Sequence, residues 1–285
     1  MTSLLLLDKP EGLTSFSAVA RARRVLGIKK AGHTGTLDPM ATGVLPILLG
    51  GATRFAEFLP SHDKAYVAGL RLGIVTDTLD ITGTVLEERQ VNVTRSEIEA
   101  ALGQFRGKIL QVPPMYSAKS QGGERLYALA RRGIEVEREA RAVEIYRLEL
   151  VDDENIYVEC SAGTYIRSLI DDLGRALGCG ACMSSLRRVK ANGYGIERCV
   201  TLEQLEQGDT SGFVPIDEAL AAYPAVEVTP AQTVRFRNGG ALDLARLQIK
   251  IPTEGALHRV YGNNVFLGLG RIQSEELAVA RLLIP

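Results

Sequence analysis

Residues 31–43, Ala-Gly-His-Thr-Gly-Thr-Leu-Asp-Pro-Met-Ala-Thr-Gly, crowd three glycines, an imidazole and a carboxylate into one short stretch. Gly32, Gly35 and Gly43 ask for a backbone that turns sharply or lets a ligand come close, which a residue without Cβ permits. Asp38 precedes Pro39, and the proline ring pushes it out of helical geometry. The same pair is also an ordinary helix start, with aspartate as N-cap and proline at the first helical position. No lysine follows the glycines as in Gly-x4-Gly-Lys-Ser/Thr, and the spacing is not Gly-x-Gly-x-x-Gly, so a nucleotide cofactor loses its usual support.

With 285 residues, 46% of them hydrophobic, the chain can bury a full core and divides into one large and one small unit. No apolar run reaches the roughly 18 residues of a membrane span, and the first residues are too short and wrongly charged for a signal peptide, so a cytoplasmic location without a membrane is expected. Cys179 and Cys182 form one Cys-x2-Cys pair with no second pair or nearby histidine, and His33, His62 and His258 are scattered, so no metal and no other cofactor is expected. The net charge of −1 says nothing about local patches. Between Gly12 and Leu37 there is no acidic residue, while Arg21, Arg23, Arg24, Lys29 and Lys30 precede the glycine loop. Such a run is either a solvated helix face or a cationic approach suited to a phosphate-bearing polymer.

Leu4 to Leu7 reads as a buried strand ended by a turn at Lys9 and Pro10. Thr14 or Ser15 caps a helix with Phe16, Val19, Ala22 and Leu26 on its core side. The alternation from Tyr66 to Ile74 predicts a half-buried strand, on which a tyrosine is usually core packing. Asp77, Thr78 and Asp80 read as a solvated polar turn, and Thr94 with Glu97 as a capping box. From Pro113 to Arg141 the text changes character, with Gly122-Gly123 and a mixed-charge helix from Glu124 to Arg132 holding Arg125 and Arg131. Val143–Val151 and Ile156–Cys160 read as a hairpin, and Ile166 to Leu177 as a helix begun by Thr164, with Tyr165 and Arg167 at its head, off the core face. An arginine in a first helical turn opposes the macrodipole and calls for a carboxylate partner. Ser184 to Lys190 is a basic strand. Past Ala225 short strands with glycine turns are expected, as in Val234–Gly240 and Val265–Leu269.

The glycine loop, the preceding Leu7-Asp-Lys-Pro-Glu-Gly12, and the blocks Asp63-Lys-Ala-Tyr66, Thr76-Asp-Thr-Leu-Asp80 and Gly163-Thr-Tyr-Ile-Arg167 together resemble the bacterial TruB-type tRNA pseudouridine synthases. The resemblance covers residues 4 to 225 well and the tail weakly. It implies an α/β (α+β) fold whose mixed, largely antiparallel sheet is flanked by helices. Residues 1–225 would be the catalytic domain, with an RNA-gripping insertion at about 113–141, and 226–285 a small β-rich, PUA-like RNA-binding domain. The implied reaction is isomerisation of uridine 55 in the T-loop of tRNA, on a flipped-out base, with the T-stem-loop as partner and no obligate protein partner.

The resemblance assigns the nucleophile to Asp38, with Arg167 keeping it ionised through a bidentate pair and Tyr66 stacking on the base and helping to remove the C5 proton. A tyrosine hydroxyl is a poor base at neutral pH, which weakens that second role. His33, Tyr165, Leu186 and Lys9 are the implied substrate-binding set. His33 would fill the space the base vacates, Leu186 would be apolar pocket wall or plain core, and Lys9 with Pro10 would support the loop rather than react. Two rival readings are a non-catalytic RNA-binding protein or tRNA folding chaperone on this scaffold, and a glycoside hydrolase, which would want a second carboxylate beside Asp38.

Overall fold

The computed structural model describes residues 2–117, 120–121, 123–249 and 252–284, with the backbone alone for 120, 121, 125, 127 and 131. A ten-stranded sheet organises the first three quarters of the chain. Its strands are β1 (Ser3–Lys9), β2 (Ala31–His33), β3 (Thr42–Leu49), β4 (Lys64–Leu72), β5 (Gly107–Gln111), β6 (Arg141–Leu150), β7 (Asn155–Cys160), β8 (Ala181–Ala191), β9 (Tyr194–Gly195) and β10 (Phe213–Pro215). The spatial order is β10-β1-β3-β8-β4-β7-β6-β5, with β2 paired to β3 and β9 to β8. Every pairing in it is antiparallel except β3 with β8, which run parallel and share only Thr42 with Arg187 and Gly43 with Arg188.

That short parallel junction depends on Gly43. Its φ is +103°, and a Cβ there would sit 2.2 Å from the Arg188 carbonyl oxygen. The missing side chain lets the two backbones meet at the C-terminal end of the glycine loop.

The unbroken leucines of β1 are explained by burial on both faces. Leu5 and Leu7 pack with Leu45, Ile47 and the α1 helix (Ser15–Val25) on one side. Leu4 and Leu6 pack on the other with Leu48, Phe55 and, from the chain's last quarter, Phe266 and Leu269. Thr14 caps α1 by accepting from Ser17 N at 3.0 Å, and the helix buries Ala18, Val19 and Ala22. Phe16, expected on that core side, is instead 79% exposed, because it lies on the first turn, on the side away from the sheet.

Helices α2 (Arg95–Leu102), which carries the expected capping box, and α3 (Ile166–Ala176) cover β4, β6 and β7 around Leu102, Leu148, Ile156 and Leu169. Residues 112–140 leave the sheet from β5 and return to β6 at the same level, since Gln111 pairs with Arg141. Within them the expected Glu124–Arg132 helix is shorter: Glu124–Arg125 pairs with Ser120–Gln121 as a ribbon and the helix spans Leu126–Arg131. The side chains of Arg125 and Arg131, and Gly122, lie outside the described residues.

A second, five-stranded sheet runs in the order Ala225–Val228, Leu257–Gly262, Val265–Gln273, Glu276–Leu282, Leu242–Asp243. The stretch from Val234, read as strand, is the end of a helix, Pro230–Arg237. Thr229 and Gln232 form its capping box with Pro230 at its first turn, a start signal that outweighs the glycines after it. No helix among the described residues is long and apolar enough to cross a membrane.

Candidate active site

The loop between β2 and β3 is held by groups that the sheet places beneath it. Ser15, in the first turn of α1, donates its hydroxyl to Leu37 O at 3.0 Å and accepts from Leu37 N at 2.7 Å. Lys9 is fully buried at the end of β1, and its Nζ donates to Pro10 O (2.7 Å), Leu13 O (2.6 Å) and Pro39 O (3.3 Å). Arg188, also fully buried, donates through Nε to Val44 O at 2.7 Å and reaches Gly35 O and Thr36 O at 3.2 and 3.4 Å. Two buried cations and one serine thus tie down the backbone on both sides of Asp38. Loop carbonyls become fixed acceptors rather than solvent-facing groups.

Asp38 opens into a cavity of about 410 Å³ lined also by Tyr66, Lys64, Tyr165, Arg167 and Leu186. Arg167 Nη2 lies 3.0 Å from Asp38 Oδ2. The arginine is 6% exposed and inside the core, not off it as the helical pattern suggested. Its fork is not given to Asp38 alone: Nη2 also donates to Tyr116 O at 2.7 Å, and Nη1 donates to Thr78 O at 3.1 Å and faces Asp80 Oδ2 at 3.6 Å. The expected bidentate pair is therefore replaced by one guanidinium shared between two carboxylates and two carbonyls. Enclosure pushes the Asp38 carboxyl above the ordinary carboxylate range, Asp80 adds to that push, and the charges of Arg167 and Lys9 oppose it.

Asp80 is the main residue that sequence reasoning misplaced. It is 4% exposed, not solvated, because Met183 at the start of β8 stitches the turn down through Ile81 N→Met183 O (2.9 Å) and Met183 N→Leu79 O (3.0 Å). Its Oδ1 accepts from Thr78 Oγ1 (2.9 Å), Thr82 N (3.0 Å) and Thr82 Oγ1 (2.6 Å), which leaves Oδ2 for Arg167. Gln111 was missed as well. The α3 N-cap, Tyr165, offers no side-chain cap, and Thr164 bonds Ser161 O instead of starting the helix. Gln111, buried on β5, accepts from Tyr165 N at 2.7 Å and donates to Tyr165 O at 3.0 Å, fixing the helix head two residues before Arg167.

Tyr66 is 6% exposed on β4, flanked by Val158 of β7 and Arg188 of β8. Burial pushes its hydroxyl above the usual tyrosine value, against the pull of Arg188. Tyr165 and Leu186 line the cavity with it. Lys9 does not: all its reach is spent on carbonyls, so its placement among substrate-binding groups gives way to its other expected role, support of the loop. His33 sits one residue outside the lining, on β2, with Nδ1 buried and unpartnered, and burial lowers its pKa. Lys64 lines the cavity and was not singled out. Among the described residues no cluster of histidine, cysteine, aspartate or glutamate is arranged to hold a metal ion.

Three family models match in succession: the N-terminal domain of the TruB family pseudouridylate synthases at residues 23–166, the C-terminal domain of tRNA pseudouridylate synthase B at 167–220, and the pseudouridine synthase II TruB C-terminal domain at 224–283. The chain belongs to the TruB family of pseudouridylate synthases. A tRNA pseudouridine synthase B of Azoarcus sp. is 45% identical over 98% of this chain and 94% of its own length. One of Clostridium tetani is 43% identical over the whole of both. Among solved structures, a Cbf5-Nop10-Gar1 complex is similar with a TM-score of 0.73 and 27% identity over 99% of this chain and 85% of that one. An H/ACA RNP bound to a substrate RNA containing 2'-deoxyuridine is similar with a TM-score of 0.72 and 26% identity over the same shares. For a TruB family member, the mixed sheet with helices is the fold those neighbours share.

Proposed function

We propose that this chain isomerises uridine to pseudouridine at position 55 in the T-loop of tRNA, in the cytoplasm and without an obligate protein partner, with Asp38 as nucleophile. The observation that supports this reading is the carboxylate of Asp38 facing an open-mouthed cavity with Arg167 at 3.0 Å and Tyr66 in the same wall. A carboxylate there can displace uracil from the ribose or add to the ring and leave again, while Arg167 keeps it charged despite enclosure. The flipped base costs a few kcal/mol of unstacking, returned by stacking on Tyr66 and contact with Tyr165 and Leu186. His33, at the cavity's rim, would take the space the base leaves in the loop. The insertion at about 113–141, whose carbonyl at Tyr116 touches Arg167, would grip the RNA, and residues 226–285 would bind it as a PUA-like domain.

The test is to incubate an unmodified tRNA transcript with the purified chain, without metal or nucleotide, and to map pseudouridine by mass spectrometry. Product at the T-loop uridine with wild type, none with Asp38→Ala, and retained tRNA binding by that variant are expected. A folded wild-type chain that binds the transcript but leaves every uridine intact would favour the non-catalytic RNA-binding reading.

A further inference from the structure

Among the described residues Arg188 is the largest side chain withdrawn completely from solvent, and no carboxylate there answers its charge. An unpaired buried cation is costly to keep unless it serves something. Part of its hydrogen bonding holds the loop carbonyls of Gly35, Thr36 and Val44. Arg188 also pairs with Tyr66 across β8 and β4, which puts both side chains on one face, both buried, with the guanidinium charge acting on the Tyr66 hydroxyl.

We propose that Arg188 is a positioning residue that stabilises the Tyr66 phenolate, so that this oxygen accepts the C5 proton of the re-attached uracil. The proposal rests on the isomerisation reading above. After uracil rejoins the ribose through C5, that carbon carries both the new C–C bond and its hydrogen. The C5–H bond breaks, the proton passes to the Tyr66 oxygen, and the electron pair flows into the ring. The charge left on N1 is met by a proton from water, and Tyr66 returns its own proton to solvent, so nothing is oxidised or consumed.

Charge from every packed element bears on that oxygen. Burial disfavours the phenolate; the Arg188 charge on β8 opposes this, while Cys160 on β7 and Asp38 on the loop add to the penalty. Lys64, on the same strand, is itself coupled to Arg188 and Cys160, and Lys9 and His33 also feel Arg188. The guanidinium stays charged over the whole working range, which a lysine or histidine in this cationic cluster would not.

The experiment measures single-turnover pseudouridine formation from a T-loop RNA carrying hydrogen or deuterium at C5 of the target uridine. Wild type, Arg188→Met and Arg188→Lys are compared across pH, with RNA affinity and circular dichroism measured alongside. Arg188→Met is expected to lose at least about tenfold in rate near neutral pH, the low end of what a general base supplies, and to recover as pH rises. It should show a larger C5 isotope effect than wild type and bind RNA normally. If Arg188→Met does not fold, Arg188→Lys carries the same readout, since a lysine ammonium cannot serve the loop carbonyls and Tyr66 together. An isotope effect equal to that of wild type in the slowed variant, or an unchanged rate, overturns the proposal and leaves Arg188 a loop anchor. Absence of product with wild type would instead overturn the isomerisation reading itself.

Discussion

Replacing Gly43 with alanine tests whether the parallel junction positions the Asp38 loop. The new Cβ would lie 2.2 Å from Arg188 O and 2.8 Å from Arg188 N, whereas non-bonded carbon contacts are comfortable at about 3.5 Å. The strands must part by roughly 1 Å, which gives up about two ladder hydrogen bonds at about 1 kcal/mol each. A non-glycine residue at φ +103° adds about 1–2 kcal/mol of backbone strain. The sum is about 3–4 kcal/mol, a large part of the roughly 5–15 kcal/mol that keeps a domain folded. The control is Gly239→Ala, at φ +84° with open space around the added carbon, where strain alone operates. Urea denaturation should show Gly43→Ala losing about 2 kcal/mol more than Gly239→Ala. Because the loop is anchored to the same arginine, its turnover should fall by about 100-fold, the usual penalty of a misplacement near 1 Å. Equal losses of stability in the two variants, with turnover intact, would refute the junction argument.

Asp80→Ala strands the hydroxyls of Thr78 and Thr82 and removes one of the two carboxylates around Arg167, so chemical denaturation should register a loss of about 3 kcal/mol. Asp80→Asn keeps an acceptor for those donors and should lose about 1 kcal/mol. The same variant makes a pH prediction. Asp38 must be ionised to react and its pKa is raised, so turnover is lost as pH falls through a midpoint above the model-peptide value. Removing the Asp80 charge removes one cause of the rise, so the acid limb of the pH–rate profile should move to lower pH in Asp80→Asn. Deleting residues 226–285 should destabilise the remaining chain, not simply weaken RNA binding, because Phe266 and Leu269 complete the core over Leu4, Leu6 and Phe55; a thermal melt of the truncated chain with an unchanged midpoint would contradict that.

The fold was legible where one residue type carries one message. The leucines of β1, the alternation of β4, the capping box at Thr94 and the apolar stripe of α3 all stand where the pattern put them. Reading failed where burial is conferred by a distant strand. Asp80 and Arg188 carry charges in segments that look solvated, and both become interior because β8 crosses the molecule, Met183 stitching down the Asp80 turn and Arg188 itself lying at the Gly43 junction. Local sequence holds no trace of that. Gln111 is similar: a glutamine at a strand end reads as surface, and only the return of the chain at Arg141 and the arrival of Tyr165 make it a helix cap. Phe16 failed for a different reason: the buried face of α1 runs through Ser15, Ala18, Val19 and Ala22, and Phe16 falls outside it.

Charge around the cavity is unevenly balanced, and this bears on how a chain of net charge −1 can hold a polyanion. Four cations, Lys9, Lys64, Arg167 and Arg188, stand against the carboxylates of Asp38 and Asp80. Three of the four have their donors committed to backbone carbonyls or carboxylates, so they contribute field without being free to grip a ligand. Lys64 differs. It lines the cavity, among the described residues donates only to His62 O at 2.8 Å, and is pulled below the usual lysine value by burial and by Arg188. An entering phosphate would favour its charged form against both causes, which makes it the cation able to change partner when RNA arrives. Lys64→Ala should therefore weaken T-loop RNA binding and reduce the slope of log affinity against log salt by about one. Lys64→Ala with an unchanged salt slope would show that the phosphates are met elsewhere and that the surplus charge serves Asp38 and Tyr66 alone.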